Sequence, residues 1–120
     1  MPDAEGSRRL DLEDRTFAFA RRVIRLTRFL PKSIANVEVM RQLVRAAGSV
    51  GANYIEANEA LSKKDFLMRV KICRKEAKES HYWLRLLDVD HPDQEDECKA
   101  LLREATELTR IFGAILTKSE

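Results

Sequence analysis

The stretch Arg45 to Phe66, RAAGSVGANYIEANEALSKKDF, constrains the fold more than any other part of the chain. Wound as a helix, it places Met40, Leu43, Val44, Ala47, Val50, Gly51 and Tyr54 on one face. Gln42, Ala46, Gly48, Ser49, Ala52 and Asn53 lie broadly opposite. In a chain with 35% charged residues, a free helix surface would carry Lys and Glu at such positions. A small, nearly uncharged second face predicts that this helix packs on two sides. Each interior glycine costs about 1 kcal/mol relative to alanine, which close backbone approach would offset.

The rest of the chain supplies partners for that helix. Pro31 and Pro92 separate long stretches of helical periodicity. The first helix is expected from about Leu12 to Leu30 behind Asp11, with Phe19, Ala20, Val23, Ile24, Leu26, Thr27 and Leu30 inward. Arg21, Arg22, Arg25 and Arg28 face away from them. A second helix runs from near Ser33 to about Asn58, and a short turn leads to Ser62-Lys63-Lys64-Asp65, which resembles a capping box. The third helix then buries Phe66, Val70, Cys73, Ala77, Leu84 and Leu87. The fourth starts after Asp90 behind a cluster of acids and buries Cys98, Leu101, Ala105, Leu108, Phe112 and Leu116. Four amphipathic helices with short connections predict an all-α, antiparallel up-down-up-down bundle. Residues 1–11 are expected as a flexible N-terminal tail and 12–120 as a single domain.

No segment approaches the roughly 18 to 20 apolar residues that span a bilayer, and the N-terminus has no apolar run behind its charges. The expectation is a soluble, cytoplasmic protein with no membrane association. In antiparallel helices Cys73 would lie about 21 Å and Cys98 about 10 Å from the shared turn. That separation excludes a disulfide and a common metal site. His81 and His91 lack the Glu-x-x-His spacing of a di-iron bundle, and no phosphate loop or nucleophile signature is present. The chain is therefore expected to use no cofactor or metal and to be no enzyme.

Charge is distributed unevenly. Residues 62–87 carry eight basic and three acidic side chains, a balance of +5, and residues 88–120 carry four and nine, a balance of −5. Lys64, Lys71, Arg74, Lys75, Lys78 and Arg85 occupy one outward side of the third helix, with Tyr82 among them, and Arg21, Arg25 and Arg28 line the first. Such faces suit a polynucleotide, with phosphates on the cations and a base stacked on Tyr82. The competing reading is a solvated basic face, or one neutralised by the acidic fourth helix. A second polar group, Arg45, Ser49, Asn53 and Glu56 on helix two with Glu76, Glu79 and Trp83 on helix three, predicts a structural seam. Its alternative is an acid/base site built on Glu56, Glu76 or Glu79.

QLVRAAGSVGANYIEAN, followed by SKKDF and KEAKESHYWLRLL, resembles the bacterial four-helix-bundle family named for proteins encoded in 23S rRNA intervening sequences, from about Phe17 to Leu116. The pattern matches at Arg45, Ala46, Ala47, Ser49, Val50, Ala52, Asn53 and Glu56. It departs at Tyr54-Ile55-Glu56-Ala57, where many members read Ile-Ala-Glu-Gly. The resemblance implies a ring-like homopentamer, similar to the accessory protein of diversity-generating retroelements, which binds nucleic acid and a reverse transcriptase. It implies RNA or DNA, and a reverse transcriptase or another protein, as partners, and no catalysis. Two expectations stand side by side: a non-catalytic, oligomeric nucleic-acid-binding bundle, and a structural or protein-scaffolding oligomer.

Overall fold

Apolar residues recurring at three- and four-residue intervals wind four stretches of this chain into helices, each with one face that water disfavours. The computed structural model describes residues 4–119, with side chains from Asp11 onward. Its helices are α1 (Ala4–Thr27), α2 (Ile34–Asn58), α3 (Lys63–Leu86) and α4 (Pro92–Ser119). Sequential neighbours pack together and α1 closes against α4, whereas among the described residues the backbones of α1 and α3, and of α2 and α4, stay apart across the core. This is the up-down-up-down bundle, with α1 and α3 at opposite corners.

Local chemistry sets the ends. Ser33 Oγ accepts from the Asn36 amide at 3.1 Å, and Ser62 Oγ accepts from the Asp65 amide at 3.1 Å. α4 starts with Pro92 in its first turn, and the amide of Asp93 donates to His91 Nδ1 at 3.2 Å. Lys32 Nζ donates to the free carbonyls of Thr27 and Leu30, finishing α1. α1 differs from its expected span at both ends. Its backbone is helical from Ala4, in the region expected as a flexible tail, whose first three residues lie outside the described structure. It stops at Thr27, and Leu30 enters the core from the connecting loop.

The core is formed by Leu12, Phe19, Val23, Leu43, Val50, Val70, Leu84, Leu101, Leu108 and Phe112, all essentially inaccessible. Tyr54 and Phe112 meet at 5.8 Å between ring centroids with planes tilted by 51°. Cys73 and Cys98 are buried, unlinked thiols. At one end of the bundle, buried Asn36 links two loops. Its amide donates to Pro31 O at 2.8 Å and Asp88 O at 3.2 Å, and its Oδ1 accepts from Asp88 N at 2.8 Å.

The two glycines of α2 have different surroundings. A Cβ on Gly51 would stand 3.1 Å from Thr16 Oγ1, so this glycine admits close approach of α1. Thr16 is itself buried, donating to Leu12 O at 2.7 Å. A Cβ on Gly48 would meet nothing within 4 Å. Ala46, expected on the outer face, is fully buried, so the second face of α2 is narrower than the wheel indicates.

Candidate nucleic-acid interface

The inward stripe of α3, Val70, Cys73, Ala77 and Leu84, turns the opposite side of the helix to solvent. That side carries Lys64, Lys71, Lys75 and Tyr82, flanked by Arg74, Lys78 and Arg85, all exposed. Tyr82 meets Trp83 edge-on, with centroids 5.0 Å apart, which fixes its ring while leaving half its surface open. Met68 and Leu86 lie between the cations and are also about half exposed. Sequence reasoning missed these two; their signal was apolar residues at four-residue spacing from Lys64 and Tyr82. Arg74 is less free than its neighbours, since its Nε lies 3.5 Å from the position a Cβ on Gly113 of α4 would take.

Whether these cations are available depends on the acids of α4. Arg15 donates from Nε and Nη2 to Glu104 at 2.7 and 2.8 Å, and Arg22 donates likewise to Glu97 at 3.1 and 2.7 Å. These bidentate bonds raise the pKa of both guanidinium groups above its usual value, outweighing the opposing effect of partial burial. Arg22, expected to face outward with Arg21, Arg25 and Arg28, is therefore engaged across the α1–α4 seam. Glu97 and Glu104 face α1, and the flank of α4 toward α3 carries Arg103, Thr106 and Arg110. Among the described residues no ion pair joins α3 to α4. Lys75, 3.8 Å from Glu76, is the one cation of the α3 face within 4 Å of a carboxylate there.

The helix-one arginines stand elsewhere. Arg21 and Arg25 are exposed on α1, the corner diagonal to α3, and Arg28, expected on the same helix, is exposed in the turn that follows it because the helix stops at Thr27. The two basic faces point to opposite sides of one subunit and form no common surface within it.

Of the seven expected members of the polar seam between α2 and α3, Arg45, Asn53, Glu76 and Glu79 engage through their side chains and Ser49 through its carbonyl, and Arg69 is added. Arg45 donates to Glu76 at 3.4 Å and to Glu79 at 3.2 Å, although Glu76 is only 4% exposed. Asn53 donates to the backbone carbonyl of Ser49 at 2.9 Å and accepts from Arg69 at 3.0 Å. Ser49 thus enters through its main chain, and Arg69 is the member the sequence did not single out. Glu56 is exposed and makes none of these contacts. Two carboxylates sharing one guanidinium are held as ion pairs, an arrangement that fixes helix register. Among the described residues the buried indole N–H of Trp83 has no hydrogen-bond partner.

On the other side of α2 lies an apolar surface facing solvent. Phe17 is 65% exposed and Ile55 52%, with Ile24, expected in the core, exposed on the same flank of α1. Exposed Gly48 and Ala52 lie on the neighbouring face of α2. Alongside, a groove of about 440 Å³ is lined by Thr27, Lys32, Val37, Met40, Arg41 and Val44. Among the described residues, no helix is long and apolar enough to cross a membrane, and no three His, Cys, Asp or Glu residues are grouped to hold a metal.

Comparison with known proteins bears on the same features. Residues 8–114 match the family described as 23S rRNA-intervening sequence protein. A crystal structure of a protein of unknown function from the S23 ribosomal protein family of Bacteroides thetaiotaomicron is similar, with a TM-score of 0.75 and 30% identity. The match covers 88% of this chain and 97% of that one. No curated protein matches the chain.

Proposed function

The chain belongs to the 23S rRNA-intervening sequence protein family, and on that premise we propose that it is a non-catalytic, oligomeric bundle that binds RNA or DNA through the outward face of α3. One observation carries this reading. Glu97 and Glu104 of α4 are paired with Arg22 and Arg15 of α1, and Glu95 and Glu107 with Lys99 and Arg110 of α4 itself, so that among the described residues Lys64, Lys71, Lys78 and Arg85 have no carboxylate within 4 Å. Cations held on a rigid helix and not internally paired are free to displace the counterions of a phosphate backbone. Tyr82, with Leu86 one turn away, offers the bases an apolar and π surface, and Met68 adds a separate apolar spot near the start of the helix.

Self-association supplies what one α3 face lacks. Phe17, Ile24 and Ile55, with exposed Gly48 and Ala52 on the neighbouring face of α2, form a surface suited to a second copy of the chain, and a ring of five is the assembly we propose from the family resemblance. In a ring, each subunit repeats the α3 face, and weak phosphate contacts add by avidity. The α1 arginines, on the far corner, would then meet a different segment of nucleic acid or a neighbouring protein.

The test is fluorescence anisotropy of a labelled single-stranded RNA, and of its DNA counterpart, titrated with full-length protein between 50 and 200 mM salt. Binding should weaken with salt, and the Lys64→Gln, Lys71→Gln, Lys75→Gln triple variant should reduce the slope of log K against log salt by about 2, near 0.7 per lost phosphate contact. Absent or salt-insensitive binding refutes the reading. Light scattering on the same protein tests the assembly: a monomer at micromolar concentration refutes the ring. A stable ring indifferent to nucleic acid would favour the protein-scaffolding alternative, to which the exposed apolar face lends independent support.

A further inference from the structure

The α3–α4 groove lies beside the basic face but is chemically distinct from it. A cavity of about 300 Å³ is lined by Lys78, His81, Thr106, Thr109 and Arg110. A second, of about 460 Å³, shares His81, Thr106 and Arg110 and adds Arg103, Leu102 and Glu107. The shared residues make one trough, of the size that small-molecule sites occupy. Three permanent cations, Lys78, Arg103 and Arg110, face a single carboxylate, Glu107. Arg110 meets it through Nη1 at 3.2 Å, so most of the five guanidinium N–H groups remain available.

The threonines give the trough a second kind of polarity. Thr106 donates its hydroxyl hydrogen to Leu102 O at 3.1 Å and Thr109 to Ala105 O at 2.8 Å. A hydroxyl committed in this way can only accept from a ligand. The trough thus combines donors that recognise an anion with fixed acceptors that recognise a neighbouring O–H or N–H, and half-buried Leu102 adds an apolar wall.

We infer that the α3–α4 groove seats one nucleotide unit, with its phosphate on Lys78, Arg103 and Arg110, and a sugar hydroxyl or base amino group donating to Thr106 and Thr109. A nucleotide joins those two chemistries in one molecule, whereas inorganic phosphate would satisfy only the first. The assignment rests on the nucleic-acid reading for the source of the nucleotide, which is a strand drawn along α3 with one unit turned into the trough. The same chemistry could come from a free mononucleotide.

Isotope-labelled full-length protein titrated with a twelve-residue single-stranded RNA, and separately with AMP, distinguishes these sources. The oligonucleotide should shift the resonances of His81, Thr106 and Thr109. The Arg103→Gln, Arg110→Gln variant, altered only at exposed positions, should lose those shifts and bind at least about tenfold more weakly, as expected for lost hydrogen bonds to a charged group. The Lys64→Gln, Lys71→Gln variant should bind more weakly yet retain the shifts. If AMP alone moves these residues and the strand does not bind, the groove stands as a mononucleotide site and the nucleic-acid reading fails. If the strand binds with shifts confined to the outer face, and the groove variant binds as wild type, the groove assignment is overturned while the nucleic-acid reading survives. Silence toward both probes overturns both.

Discussion

Replacing Asn36 with alanine should be among the most damaging single changes available to this fold, although it removes no apolar surface of note. Asn36 is 2% exposed and makes three side-chain bonds, two as donor to Pro31 O and Asp88 O and one as acceptor from Asp88 N. Each bond contributes roughly 0.5–1.5 kcal/mol net, and a buried group left unpaired costs more. Because Asp88 is itself exposed, water can reach part of the vacated groups, which places the total near 3 kcal/mol. With a urea m-value of about 1.5 kcal/mol/M for a domain of this size, the unfolding midpoint should fall by about 2 M. Asn36→Asp sharpens the test, because it retains the acceptor for Asp88 N but presents a carboxylate to two carbonyl oxygens. Burial and those oxygens favour the neutral form, so the introduced carboxyl's pKa is raised in the folded state. Its contribution to stability is then present at low pH and lost as pH rises through its folded value. Relative to wild type, the deficit should be smaller at pH 4 than at pH 7. A midpoint shift below about 0.3 M for Asn36→Ala, or a deficit for Asn36→Asp that grows toward pH 4, would refute the claim that this side chain ties the two loops.

The glycines of α2 make opposite predictions. Gly48→Ala, opening into empty space in the isolated subunit, should stabilise it by up to about 1 kcal/mol through helix propensity, whereas Gly51→Ala drives a methyl to 3.1 Å from buried Thr16 Oγ1 and should yield no gain or a loss; thermal denaturation of both variants measures the difference. Cys73, whose thiol burial pushes up to about 12 from 9.0, should resist iodoacetamide at pH 8.5 until the chain unfolds. Since its folded pKa lies above the unfolded one, its contribution to stability is intact below about pH 9 and declines as pH rises toward about 12, so urea midpoints should fall over that alkaline range by less in Cys73→Ala than in wild type.

The number and order of the helices, and the bounds of α2 and α3, were legible because their signals are local: serine caps at 33 and 62, prolines between periodic runs, and apolar residues at helical spacing. The outward positions of the α3 cations followed from the same period. What the period cannot convey is which corner of the bundle a helix occupies. Arg22 read as solvent-facing because its partner Glu97 lies 75 residues away, and that the basic face of α1 lies diagonal to that of α3 is a property of the closed bundle. Ala46 and Ile24 were exchanged between core and surface for a related reason: a helix wheel gives an angle, and the neighbour's width decides where burial stops. Acidic α4 appeared able to neutralise basic α3, yet Glu97 and Glu104 turn to α1, and Glu107, on the α3 side, is taken by Arg110 of the same helix. The tie through Asn36 had no sequence signal beyond a polar residue just inside a helix.

The α1–α4 seam, described above through two arginine–glutamate pairs, also bears on how the chain reaches its folded state. The pairs join residues 89 and 75 positions apart, whereas α2 and α3 are consecutive and share the most extensive packing. Contacts at such separation carry the largest loop-closure entropy and form after local ones. The α2–α3 hairpin is thus the natural nucleus, and docking of the first helix onto the last is the step that completes the bundle. During synthesis α1 must wait, its apolar stripe uncovered on that side, until nearly the whole chain has emerged, and the ionic seam that finally receives it governs unfolding more than folding.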